Sequence, residues 1–167
     1  MVIAERFLED FEDEMERLRL VLERAPADRF AWRPHPRARS LGELALHLAG
    51  IPGWAGSMLE RDFYDLAHVG APEGGAAPPE RADVLALLEK NRGRARAAIA
   101  GRSDAELRAP WRLERGGEVV HTWPRIRALR AYLIDHVIHH RGQLGVYLRL
   151  LDVPVPALYG PSADEPG

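Results

Sequence analysis

The stretch "AYLIDHVIHHRGQLGVYLRLLDV", residues 131–153, decides how this chain is read. Apolar residues recur upstream and through it at Ile126, Leu129, Leu133, Val137, Leu144, Tyr147, Leu148 and Leu151, in steps of three and four, which is the seam of an amphipathic helix. Three histidines sit inside it. On the helical period His140 falls on the seam, His136 lies at its edge beside Val137, and His139 points away, about 100° from His140.

The rest of the chain repeats the pattern. Phe7, Phe11, Met15, Leu18 and Leu22 make one stripe over residues 3–24. Ser40 with Glu43 forms a capping box that opens a second helix through Leu41, Leu44, Leu48 and Ile51. Pro52 and Gly53 should interrupt it before "WAGSMLERDFYDL" resumes it. After the Gly/Pro-rich "HVGAPEGGAAPPE", a third helix starts near Val84 and runs to about Ile99. Its basic run "NRGRAR" reads as a solvated face.

Ser103 and Glu106 open a short turn or helix. "WRLERGGEVVHTW" reads as a hairpin-like excursion about Gly116-Gly117. Thr122 with Pro124 then marks the start of the fourth helix, which reaches about Leu151. The Pro/Gly-rich tail should lie over the surface. The expected fold is all-α: one domain spanning 1–167, a four-helix bundle with a long crossover connection.

Composition excludes several functions. There is no cysteine, hence no disulfide, thiolate ligand or cysteine nucleophile. With 23 basic and 25 acidic residues the net charge is −2, which gives no electrostatic case for nucleic acid or an anionic membrane. Every basic residue except Lys90 is arginine, a compositional bias before it is a binding signal. No run reaches the length of a membrane span and the N-terminus lacks an apolar signal region, so the expected location is the cytoplasm.

Two imidazoles four residues apart on a helix can share one divalent ion. The spacing matches H-E-x-x-H, but the intervening residues are Val, Ile and His, so the glutamate of a zincin peptidase is missing. Taken alone, the pair fits surface or hydrogen-bonded core histidines as well as ligands. His47, beside Leu44 and Leu48, is the candidate third ligand from a neighbouring helix. Gln143, at i+3 from His140, could orient a ligand or meet a bound molecule. His35, His68 and His121 read as surface residues, with His121 retained as a possible wall of a site. Asp135 reads as solvated.

"HVIHHRGQLGVYLRLLDVPVPALYGPSADE" resembles the C-terminal signature of the DinB/YfiT-like proteins, and "SLGELALHLAGIPGWA" their second-helix histidine segment. The resemblance implies a bundle, often dimeric, with a divalent metal on three histidines: His47, His136 and His140 by motif. Zinc or nickel is the commonest metal, and iron or manganese is compatible with such a site. It further implies a transferase that joins a low-molecular-weight thiol, bacillithiol or mycothiol, to an electrophile in stress or detoxification. The cosubstrate would supply the sulfur that this chain lacks. Two alternatives stay open: metal-assisted hydrolysis, which needs a carboxylate base near the ion, and a non-enzymatic, stress- or DNA-damage-induced metal-stabilised binding protein. Asp152 stands where the family often has glycine, which concerns a helix end.

Overall fold

The structure is a computed structural model that describes residues 2–68 and 80–166. The Gly/Pro-rich connection falls largely on residues 69–79, outside the described residues, and so does the side chain of His68. Helix α1 spans Ile3–Arg24, α2 Leu41–Gly50, α3 Ala55–Glu60 and α4 Arg81–Ile99. A short α5, Asp104–Arg108, precedes a hairpin of β2, Pro110–Arg115, and β3, Glu118–Pro124; β1 is Phe63–Asp65. The last helical arm is α6, Arg125–Leu129, a π-helical turn at Arg130–Asp135, and α7, His136–Leu150.

The helices bury the stripes their periods define. Phe11, Met15, Leu18 and Leu22 of α1, Leu41, Leu44 and Leu48 of α2, and Leu88 and Ile99 of α4 are fully buried. Helices α1 and α2 both pack against α4 and against α7, so consecutive α1 and α2 lie across the core from one another, joined by residues 25–40. That connection is tied down where it reaches α2: Gly42 N–H donates to the Phe30 carbonyl at 2.9 Å, and Leu41 N–H to Trp32 at 2.8 Å. A Cβ on Gly42 would stand 3.0 Å from Phe30 Cβ, so the close approach requires glycine.

The all-α expectation is corrected by a three-stranded sheet in the order β1-β2-β3, β1 parallel and β3 antiparallel to β2. Gly116 and Gly117, with φ of +61° and +84°, form the two-residue turn of the hairpin, the backbone region where glycine costs least. The Asp65 carboxylate accepts from both glycine N–H groups, at 2.8 and 3.3 Å, clasping β1 to the turn. The second helical arm therefore does not resume through residue 66. It stops at Glu60, because aromatic Phe63 and Tyr64 pair with β2. Buried Arg125 takes the carbonyls of Met58 and Arg61 at the end of α3, and pairs with Asp62 at 2.9 Å.

Thr122 is likewise not a helix start. It pairs with Arg112, and β3 continues to Pro124, so the helix begins at Arg125. Pro52 interrupts α2 as expected, with a 3-10 turn over Ile51–Trp54. Pro52 has no N–H to give, and the nearby Ala49 carbonyl accepts from buried Asn91 of α4 at 2.9 Å. The tail 151–166 lies over the surface without helix, held by Ser162, Asp164 and Glu165, which bond Val155, Arg149 and Ala157. No helix among the described residues is long and apolar enough to cross a membrane.

Candidate metal centre

His47 is in the last turn of α2, and His136 and His140 occupy successive turns at the start of α7, the helix packed against it. The core seam of α7 runs through Val137, Arg141, Leu144 and Leu148, not through His140. The π-helical turn just before His136 adds a residue to the winding and sets this phase. Arg141 is buried because Glu14 of α1 meets it at 2.7 Å, with the Tyr159 hydroxyl bonded to both. The histidines are thereby turned one step round the helix, half-buried and facing α2.

There the three rings converge, with centroid separations of 5.1 Å for His47–His136 and 4.7 Å for each of the other two pairs. One nitrogen from each lies within 4.8 Å of the others, and among the described residues no carboxylate joins them. His47 Nε2 and His136 Nε2 stand 3.3 Å apart. Tetrahedral zinc with Zn–N bonds of about 2.0–2.1 Å separates its nitrogen ligands by about 3.3–3.4 Å. The residues present fit a divalent ion.

The electrostatics fit as well. Burial, reinforced by the charge of Arg39 and the neighbouring histidines, pushes His47 down to about 4. Burial does the same to His136, down to about 4, with His140, His139 and Arg39 adding to it. His140 is also lowered by burial, against the opposing pull of its bond to Gln143. All three are neutral at pH 7, the form a metal requires.

His140 Nδ1 lies 2.7 Å from Gln143 Oε1, an acceptor, so Nδ1 carries the proton and Nε2 keeps its lone pair. The Gln143 amide nitrogen reaches His139 Nε2 at 3.2 Å. Gln143 therefore sits where it orients a histidine. His139 is exposed, as is Asp135, which lies 3.9 Å from Arg130. Exposed His35 turns its ring to the local backbone, where Nδ1 accepts from Arg37 N–H at 3.1 Å.

Beside the histidines opens a cavity of about 230 Å³, lined by Trp54, Ser57, Met58, Tyr64, Leu66, Trp111, Leu113, Tyr132 and His136. It lies between α3, the sheet and the π-helical turn, so the elements absent from the expected all-α fold make its walls. His121 does not join the histidine cluster. It stacks on Trp123 with centroids 3.6 Å apart and meets the Tyr132 hydroxyl at 2.9 Å, supporting one wall from behind. Trp54 bridges site and cavity, 5.9 Å from the His47 ring and 5.3 Å from His136.

Of the wall residues, Tyr132 was within reach of sequence reasoning, being four residues before His136 and so on its face. Trp111 and Tyr64 come to line one cavity through the β1–β2 pairing, for which the sequence carries no periodic signal. Arg39 comes near the histidines because the 25–40 connection folds back on α7, where the Tyr147 hydroxyl donates to the Arg39 carbonyl at 3.2 Å.

Comparison with protein families matches the DinB family over residues 1–166. The chain belongs to the DinB family. Among solved structures it is similar to a DinB-like protein from Bacillus cereus ATCC 10987, with TM-score 0.73 and 22% identity, covering 95% of this chain and 98% of that one. A second DinB-like protein, YjoA of Bacillus subtilis, gives TM-score 0.66 and 17% identity over 90% of this chain and 96% of that one. At such identities the likeness establishes the fold. The uncharacterised protein YrdA of Bacillus subtilis (strain 168) is 45% identical over 38 residues, which is 23% of this chain and 23% of YrdA.

Proposed function

We propose that this protein is a metal-dependent transferase that joins a low-molecular-weight thiol, of the bacillithiol kind, to an electrophilic carbon. The observation that carries the reading is the convergence of three neutral imidazoles, with no carboxylate beside them among the described residues, at the open edge of an apolar cavity. His47, His136 and His140 would hold a divalent ion, zinc or nickel by preference. A divalent ion on three neutral ligands keeps its full charge and supplies the pull that turns a thiol into a thiolate at neutral pH.

The chain's own residues do the rest. Gln143 fixes the His140 ring and its tautomer. The aromatic walls give the electrophile's side an apolar surface. Arg39, whose charge reaches all three histidines, offers a guanidinium for a carboxylate of the thiol cosubstrate. In the overall reaction the thiol gives its proton to solvent and its sulfur forms a bond to the electrophilic carbon. A leaving group then departs with its electron pair, or, in an addition, the neighbouring atom takes up a proton.

Hydrolysis by an activated water is the weaker reading, because it needs a base beside the ion. Glu43, one turn before His47, is engaged with the Ser40 N–H at 2.7 Å in the capping box of α2. A purely structural metal site is disfavoured by the half-exposed ligands and the adjoining cavity. As in the resemblance, we expect the protein to act as a cytoplasmic homodimer.

The test is consumption of free thiol by protein loaded with zinc or nickel, across a panel of small thiols and a neutral aromatic electrophile. Turnover that requires the metal and vanishes in His140→Ala supports the reading. Metal-loaded protein that leaves every thiol untouched, beside a metal content of about one ion per chain, would favour the binding-protein alternative.

A further inference from the structure

The cavity beside His136 carries information about the second substrate. Among the described residues its lining holds no Asp, Glu, Lys or Arg. Four aromatic rings, Trp54, Tyr64, Trp111 and Tyr132, form its walls with Met58, and His136 stands at the end shared with the histidine cluster. Trp111 and Tyr132 meet at 5.8 Å with planes tilted by 53°, as aromatic pairs prefer. Trp111 is 2% exposed, and its Nε1–H is buried with no acceptor among the described residues.

Size narrows the occupant. An apolar cavity of about 150 Å³ takes up benzene. At about 230 Å³ this one holds a single aromatic ring with a small substituent. No charged side chain in the lining would offset the hydration a carboxylate gives up on entering, which favours a neutral ring.

We propose that the electrophile is a neutral, singly ringed aromatic molecule with a small substituent, seated in this cavity with its reacting atom toward His136. The proposal rests on the reading of the three histidines as the reaction centre, but its test does not need the metal.

The experiment is a titration of the metal-free chain followed by the indole N–H resonances of its four tryptophans. Acetophenone is the neutral probe, and benzoate carries the same ring with a charge. Acetophenone should shift Trp54 and Trp111 saturably and leave Trp32 in place, since Trp32 packs on Tyr147, apart from the cavity. Benzoate should bind at least about tenfold more weakly. Ser57→Phe, which places a ring in the cavity from α3, should weaken acetophenone about tenfold, with the unmoved Trp32 resonance reporting an intact fold. If that variant does not fold, the comparison of probes on the wild-type chain decides alone.

Indoles that ignore millimolar acetophenone, or benzoate binding as tightly, would overturn the proposal. Because no metal is present, a failed titration leaves the histidine site standing, and an empty metal site leaves a successful titration standing.

Discussion

Replacing Gln143 by leucine probes the centre without touching a ligand. The 2.7 Å bond from His140 Nδ1 to Gln143 Oε1 holds the proton on Nδ1 and so keeps Nε2 available. Without it the imidazole divides between two tautomers and turns more freely about its side-chain bonds. Loss of such a partner typically costs 10–100-fold in metal affinity. Gln143 is exposed, so water replaces part of the bond, and the lower end applies: about tenfold, or about 1.4 kcal/mol. Leucine is also a good helix former, so α7 should persist. Gln143→Glu, which keeps an acceptor and adds charge to it, should bind the ion at least as tightly as the wild type. His139→Ala, which removes a partner of the Gln143 amide nitrogen and an edge contact to the His140 ring but leaves the Nδ1 bond in place, should cost less than the leucine change. Competition against a chromophoric chelator at neutral pH measures all three. A leucine variant that holds zinc as tightly as the wild type would refute the orienting role, and so would a His139→Ala loss of equal size.

Other perturbations test the scaffold and the protonation account. Arg141→Leu leaves Glu14 buried, though Arg17 still meets Glu14 at 2.9 Å, so urea denaturation should show a loss of about 2–3 kcal/mol. Gly42→Ala forces a methyl group against the Phe30 side chain and backbone, and should cost about 1–3 kcal/mol in the same assay. The folded-state values of His47 and His136, pushed down to about 4, lie below the ordinary imidazole value. Stability from the neutral rings is therefore complete above about pH 6.5 and is lost progressively as pH falls toward 4. Thermal melts of metal-free protein should fall across that window, by less in His47→Ala; a flat profile would contradict the burial of neutral rings.

Much of the helical body is legible in the sequence because each helix must bury one stripe. Phe7 to Leu22, the Ser40–Glu43 and Ser103–Glu106 boxes, and the break at Pro52 all stand where local rules put them. The Gly116-Gly117 turn is equally local. What is not legible is non-local. Strand β1 exists because β2 lies beside it, and nothing in "DFYDL" marks the end of a helix. Arg141 occupies the core seam because the carboxylate and the backbone carbonyl of Glu14, 127 positions away on α1, both meet it, and by polarity alone it would be placed outside. The π-helical turn shifts the phase of α7 without a proline or glycine to announce it. For the site, the spacing of His136 and His140 is visible in one helix. Their meeting with His47 depends on the packing of α2 against α7, and the aromatic cavity depends on the sheet.

The most direct measurement is metal content by mass spectrometry of untagged protein, reconstituted with zinc or nickel at neutral pH, beside His47→Ala, His136→Ala and His140→Ala. The wild type should hold about one divalent ion per chain and each variant should lose it, with circular dichroism still helical. A wild type that retains no ion, or variants that retain it in full, would contradict the claim that these three histidines form a metal centre.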